Sequence, residues 1–171
     1  SIEPRVTFTA PSFATTSRTM PASTNWSSST YANGRFVAVS SSGGNSAYSV
    51  DGANWTAMTG LSSASAYVGV TSGAISATTY YVTVAGSTAT TVAYYSTNGT
   101  SWTAMTGLQS GTWASVAYGN SRFVAIGNGT ATAYSANGTS WNNGGAVASA
   151  NYVAIAYGTG PGRFVAITGG T

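Results

Sequence analysis

Seven side chains in this 171-residue chain carry a formal charge: Glu3 and Asp51 against Arg5, Arg18, Arg35, Arg122 and Arg163, for a net charge of +3. The chain holds no histidine, no cysteine and no lysine. General acid–base catalysis draws on His, Asp, Glu, Lys, Tyr or Cys groups whose pKa suits the task. A glycosidase site needs two carboxyl groups facing one bond, yet Glu3 lies in a tail and Asp51 inside a repeated phrase. Ser-His-Asp and Cys-His arrangements cannot be assembled, and neither can a zinc or transition-metal cage. The expectation is a protein that is not an enzyme, with no catalytic residues, no metal and no cofactor.

What remains is binding chemistry. Arg35, Arg122 and Arg163 precede the same Phe-Val-Ala sequence, so they occupy equivalent places in a repeat. Three arginines converging on a channel would hold an anionic sugar or a phosphate through bidentate bonds. Tyr80 takes the arginine's place in one copy, and Tyr80 and Tyr95 are aromatic faces on which a sugar ring could stack. The alternative is that each arginine stem covers its own hairpin with the guanidinium in water, while the aromatics pack the core. Five dispersed arginines do not make the basic stripe of a nucleic-acid binder. No apolar run approaches the ~20 residues of a membrane helix.

The elements that position these residues are written in a phrase that occurs three times: Ser49-Val-Asp51-Gly52-Ala-Asn-Trp55, Ser96-Thr-Asn98-Gly99-Thr-Ser-Trp102 and Ser135-Ala-Asn137-Gly138-Thr-Ser-Trp141. Each follows a tyrosine-bearing extended run. Asx-Gly between extended runs is a strong hairpin signal and predicts a type I′ turn, with positive φ at both central residues. The trailing indole is expected to bury over its hairpin, and the leading Ser or Asx to bond turn amides.

A full unit is laid out by the third copy. Strands are expected at 113–118, 122–126 and 131–135, with a fourth beginning at Trp141; Gly119-Asn120-Ser121 forms the first turn. The second-strand aromatics Phe36, Tyr81, Phe123 and Phe164 recur at steps of 45, 42 and 41 residues. That period matches four short strands per unit, as in propeller blades of roughly 40–50 residues. The expected fold is all-β and β-propeller-like, with about four four-stranded antiparallel blades of 40–47 residues, the last incomplete. Residues 26–171 form the repeat domain, and residues 1–25 a Pro-containing arm or closing strand.

These residues carry a resemblance. The Ser-x-Asx-Gly-x-x-Trp phrases resemble the Asp-box, or bacterial neuraminidase repeat, of sialidase-type β-propellers. The longer pattern, Val-Ala-Tyr-Gly-Asn-x-Arg-Phe-Val-Ala-Ile followed by Tyr-Ser-x-Asx-Gly-x-x-Trp, is similar to repeats of bacteriophage tail and virion proteins. The usual Asp-box has one more residue between its acidic position and its second glycine. The sialidase catalytic set of an arginine cluster, a tyrosine–glutamate pair and an acidic aspartate has no counterpart within the repeats. The resemblance therefore implies the fold and not the activity.

Charged residues make up 4% of the chain, against about 25% in ordinary globular domains. Hydroxyls and amides supply the polarity instead, which suits a virion or an extracellular surface. Regularly placed Trp and Tyr argue against a disordered coil. The expected function is that of a structural or adhesion module (a tail fibre, spike or decoration protein) acting by packing and protein–protein contact, as a homo-oligomer or with other surface proteins. The alternative is a glycan-binding module. Three closures are open: a four-bladed ring sealed by a strand such as Val6-Thr-Phe8, a ring completed by a second chain, or a piece of a longer polypeptide.

Overall fold

The computed structural model describes residues 17–86, 93–109 and 111–170, all of them strand, turn or irregular, with no helix. The proposed closing strand at Val6-Thr-Phe8 lies outside the described residues.

Three four-stranded antiparallel sheets follow one another, and each is a meander whose strands pair in chain order. The first contains β1 (Trp26–Ala32), β2 (Arg35–Ser40), β3 (Ser46–Ser49) and β4 (Thr56–Ala57). The second contains β5 (Tyr67–Ile75), β6 (Thr78–Ala85), β7 (Ala93–Ser96) and β8 (Thr103–Ala104). The third contains β9 (Trp113–Gly119), β10 (Arg122–Gly127), β11 (Thr132–Ser135) and β12 (Asn142–Asn143). The fourth unit has two strands, β13 (Tyr152–Gly158) and β14 (Arg163–Thr168). This is the expected succession of four-stranded blades with an incomplete last one.

Every first hairpin carries an irregularity at the same place: Trp26/Ser28, Tyr67/Gly69, Trp113/Ser115 and Tyr152/Ala154. An extra residue there bends and twists the first strand. The opening turns at Asn33-Gly34 (φ 45° and 72°) and Asn120-Ser121 (φ 47° and 56°) have positive φ at both residues, as a type I′ hairpin requires.

The blades stack side by side through their first strands. β1 lies beside β5, β5 beside β9 and β9 beside β13. Close approach is secured by small residues: a Cβ at Gly73 would overlap the Tyr118 ring, and one at Gly119 the Tyr157 ring. Each second strand then uses its two faces differently. Val37 and Val39, like Val82 and Val84, are fully buried toward the blade ahead. On the opposite face Tyr81 and Phe123 are buried, whereas Phe36, with no blade behind it, is 36% exposed. Burying side chains of this size stabilises by about 1.5–3 kcal/mol each, so the core is distributed over successive blade junctions.

Among the described residues, no blade covers the outer face of the first unit or of the fourth. Val165 and Ile167, equivalent to Val37 and Val39, are 54% and 57% exposed. At the other end Tyr31 and Val50 are exposed as well as Phe36. No packing like that between neighbouring blades joins β13 and β14 to β1 and β2.

Candidate functional site

Each repeated phrase closes on itself through its leading serine and its Asx. Ser49 Oγ accepts from the Gly52 amide at 2.9 Å and donates to Asp51 Oδ1 at 2.9 Å. Asp51 Oδ1 accepts the Ala53 and Asn54 amides, both at 2.8 Å, and Oδ2 accepts from Asn54 Nδ2 at 2.8 Å. Asn98 repeats the pattern with the Thr100 and Ser101 amides, and Asn137 with those of Thr139 and Ser140. In those two copies the amide Nδ2 donates to the hydroxyl of Ser101 or Ser140. The change from Asp to Asn is thus matched by a change of its third neighbour from Asn to Ser.

The turn type differs from the sequence expectation. Gly52, Gly99 and Gly138 have φ of 71°, 64° and 75°, but Asp51, Asn98 and Asn137 do not adopt positive φ. Side-chain oxygens capture the turn amides, so the backbone forms an Asx turn and not a type I′ hairpin. Four hydrogen bonds to its carboxylate, led by the Asn54 amide, hold Asp51 well below the ordinary carboxylate pKa although the group is exposed.

The indoles reach further than their own hairpins. Trp102 Nε1 donates to Ser46 Oγ of the preceding blade at 3.0 Å, and Trp141 Nε1 to Met105 Sδ at 3.2 Å. Their backbone amides bond Thr59 and Thr106 carbonyls, both at 2.8 Å. Gly60 and Gly107 (φ 98° and 84°) sit directly against the Trp102 and Trp141 carbonyls, where a Cβ would overlap. Trp55, with no blade behind it, is only half-buried and packs 6.4 Å from the Phe36 ring. Sequence reasoning missed this junction, although Trp-Thr-Ala-Met-Thr-Gly-Leu recurs identically at 55–61 and 102–108.

The candidate ligand residues belong to the same junctions. Arg35 lies over the Tyr48 ring at 5.1 Å and donates to the Asn98 carbonyl of the next blade's turn. Tyr80 packs on Tyr95 (6.0 Å), and the Gly138 turn rests against Tyr80. Arg122 lies over Tyr134 at 5.9 Å. Arg35 and Tyr80 thus head sockets with the third-strand tyrosine of their own blade, which receive the turn of the blade ahead, and Arg122 with Tyr134 forms the same pair. Tyr48 and Tyr134, the tyrosines of the extended runs before the phrase, join the arginines here although the sequence marks them only as strand residues. Arg35 and Tyr80 are half-buried, while Arg122 and Arg163 are exposed.

At Arg122 the socket opens into a cavity of about 370 Å³ between the third sheet and β13–β14, lined by Arg122, Val124, Tyr134, Gly145, Tyr157 and Phe164 among others. A second space of about 330 Å³ continues it past Ile126, Ile155 and Ala166.

The fold so assembled is that of a β-propeller. Among solved structures the chain is similar to "YCF48 bound to D1 peptide", with a TM-score of 0.58 and 15% identity over 84% of this chain and 46% of that one. It is similar to the computationally designed Ika4 protein, with a TM-score of 0.59 and 11% identity over 89% and 96% of the two chains. YCF48 from Cyanidioschyzon merolae gives 0.52 and 18% over 76% and 46%. The chain therefore spans about half the length of the YCF48 structures it matches. No protein-family model matches the chain, and no curated protein sequence does.

Proposed function

We propose that this protein is a non-enzymatic assembly module of a virion or extracellular structure, acting by packing and protein–protein contact. The observation that carries this reading is the contrast between Val39, fully buried at a blade junction, and its equivalent Ile167, 57% exposed. All three internal junctions share the same head-to-tail packing of first strands, two of them completed by the turn of the blade ahead, so the face at β14 and the face at β1 correspond to the two halves of an interface the chain already makes. A second copy would supply the partner for each. Its Asp51 turn would meet Arg163 as the Asn98 turn meets Arg35. Head-to-tail contacts of this kind close into rings or continue as filaments. The blade without a neighbour behind it is also the one that carries Asp in place of Asn, which gives the outer contact charge complementarity with Arg163. A propeller similar in fold is described as bound to a peptide, which is consistent with protein recognition.

The glycan-binding alternative draws less support, because Arg35 and Tyr80 are engaged by neighbouring turns. The test is an association assay by sedimentation on charge variants. Arg163→Glu lowers self-association several-fold, and adding Asp51→Asn, which keeps the turn, restores part of it. Unchanged association in Arg163→Glu together with saturable glycan binding abolished by Arg122→Ala would favour the alternative.

A further inference from the structure

We propose that the groove at Arg122 is a receptor for a strand–turn–indole segment of another polypeptide, with the consensus Tyr-Ser-x-Asx-Gly-x-x-Trp. This deepens the reading of the protein as a protein-contact module and rests on it.

The segment is defined by what the groove lacks relative to the two junctions before it. β2, β6 and β10 each pair with a third strand, whereas among the described residues no strand pairs with the far edge of β14. An edge of this kind accepts an extended peptide as an added strand. The internal register predicts how the peptide lies. Phe36, Tyr81 and Phe123 each oppose the phrase serine, and Val37, Val82 and Val124 oppose the tyrosine before it. An incoming segment would set its serine opposite Phe164 and its tyrosine opposite Val165.

Beyond the strand, the Asx-Gly turn has its socket prepared. Gly99 packs between Arg35 of the blade behind and Tyr81 of its own blade. The corresponding pair across the groove is Arg122, already laid over Tyr134, and Phe164. A Cβ at Gly99 would crowd Arg35 and the Tyr81 ring, and its φ of 64° is left-handed, which together favour glycine at this place.

The indole also has a seat. Thr59 and Thr106 carbonyls take the Trp102 and Trp141 amides, and their counterpart is the Gly145 carbonyl at the groove wall. Ser46 Oγ receives the Trp102 indole, and its counterpart is Thr132 Oγ1, which donates to the Gly145 carbonyl. Where the earlier junctions have Met58 and Met105, this one has Gly144, against which the Thr132 side chain packs.

A synthetic peptide of the protein's own residues 131–143 is the probe. Titrated into the 1–171 protein, it is expected to bind saturably and to slow amide exchange along β14 at Phe164 to Ala166. Arg122→Glu, a change at an exposed position, is expected to weaken binding at least tenfold. A peptide with valine at its Asx-Gly glycine is expected not to bind, while Arg122→Lys retains most of the affinity. Absence of saturable binding, or binding indifferent to both Arg122→Glu and the valine peptide, would overturn the proposal. Glycan binding in the same groove without peptide binding would also overturn it. Self-association is read separately, so a chain that associates but ignores the peptide loses only this inference.

Discussion

Trp102 Nε1 donates to Ser46 Oγ across 56 residues of sequence, from the second blade back into the first. The ring is 5% exposed. The bond makes the indole a bolt between blades, not a lid on its own hairpin. Trp102→Ala should therefore destabilise by about 3–5 kcal/mol, the usual range for a buried tryptophan. Trp102→Phe keeps much of the packing but strands the Ser46 hydroxyl, and Trp55→Ala should have a smaller effect because Trp55 has no blade behind it. Denaturant unfolding of the three variants, with midpoints ranked in that way, checks the assignment.

Gly107 and Gly129 separate backbone conformation from close approach. Both have positive φ, 84° and 77°, but a Cβ at Gly107 would overlap the Trp141 carbonyl, while nothing lies near one at Gly129. Gly129→Ala is expected to lower stability by about 1 kcal/mol from the conformational preference alone. Gly107→Ala should lower it by more, on the order of 2–3 kcal/mol, because two backbones must part. Thermal melts of the pair decide whether blade spacing is the constraint at 107.

Asp51 predicts a specific response to acid. Hydrogen bonds in the folded state lower its pKa, so its contribution is present above the ordinary carboxylate pKa of about 3.9 and fades as pH falls through the folded value. Stability should be flat near neutrality and fall in strong acid. Asp51→Asn, which reproduces the turn of Asn98 and Asn137, should melt similarly at neutral pH and show a shallower acid decline. Melting temperatures of both proteins from pH 7 to pH 2 make the comparison.

Alkali acts through buried phenols. Burial raises the Tyr67 pKa above its ordinary value of 10.0 and also raises that of Tyr81. Each holds its proton more tightly when folded, so this stability is present below pH 10.0 and is lost as pH rises toward the folded values. The Tyr67 hydroxyl bonds the Ser62 amide at 3.1 Å. Tyr67→Phe should lower stability at pH 7 by about 1 kcal/mol and weaken the alkaline decline, as followed by absorbance of ionised tyrosine.

The blade pattern was legible because one phrase repeats with its indole, and strand signals recur between the copies. Asn33-Gly34 followed the two-residue turn rule; Asp51-Gly52 did not, because Ser49 and Asp51 compete for the turn amides through their side chains. The role of Trp102 was hidden because its partner, Ser46, belongs to another unit and carries no local signal. The pairing of Arg35 with the Asn98 carbonyl was hidden for the same reason. Literal identity of 55–61 with 102–108 was the accessible clue to that junction.

The most direct test of the account is the mass of the 1–171 protein in solution across a range of concentrations, measured beside Ile167→Glu. Exposed faces equivalent to buried junctions predict a species heavier than one chain for the unaltered protein, reduced to one chain by Ile167→Glu without loss of its melting transition. A single-chain mass for the unaltered protein at every concentration would contradict it.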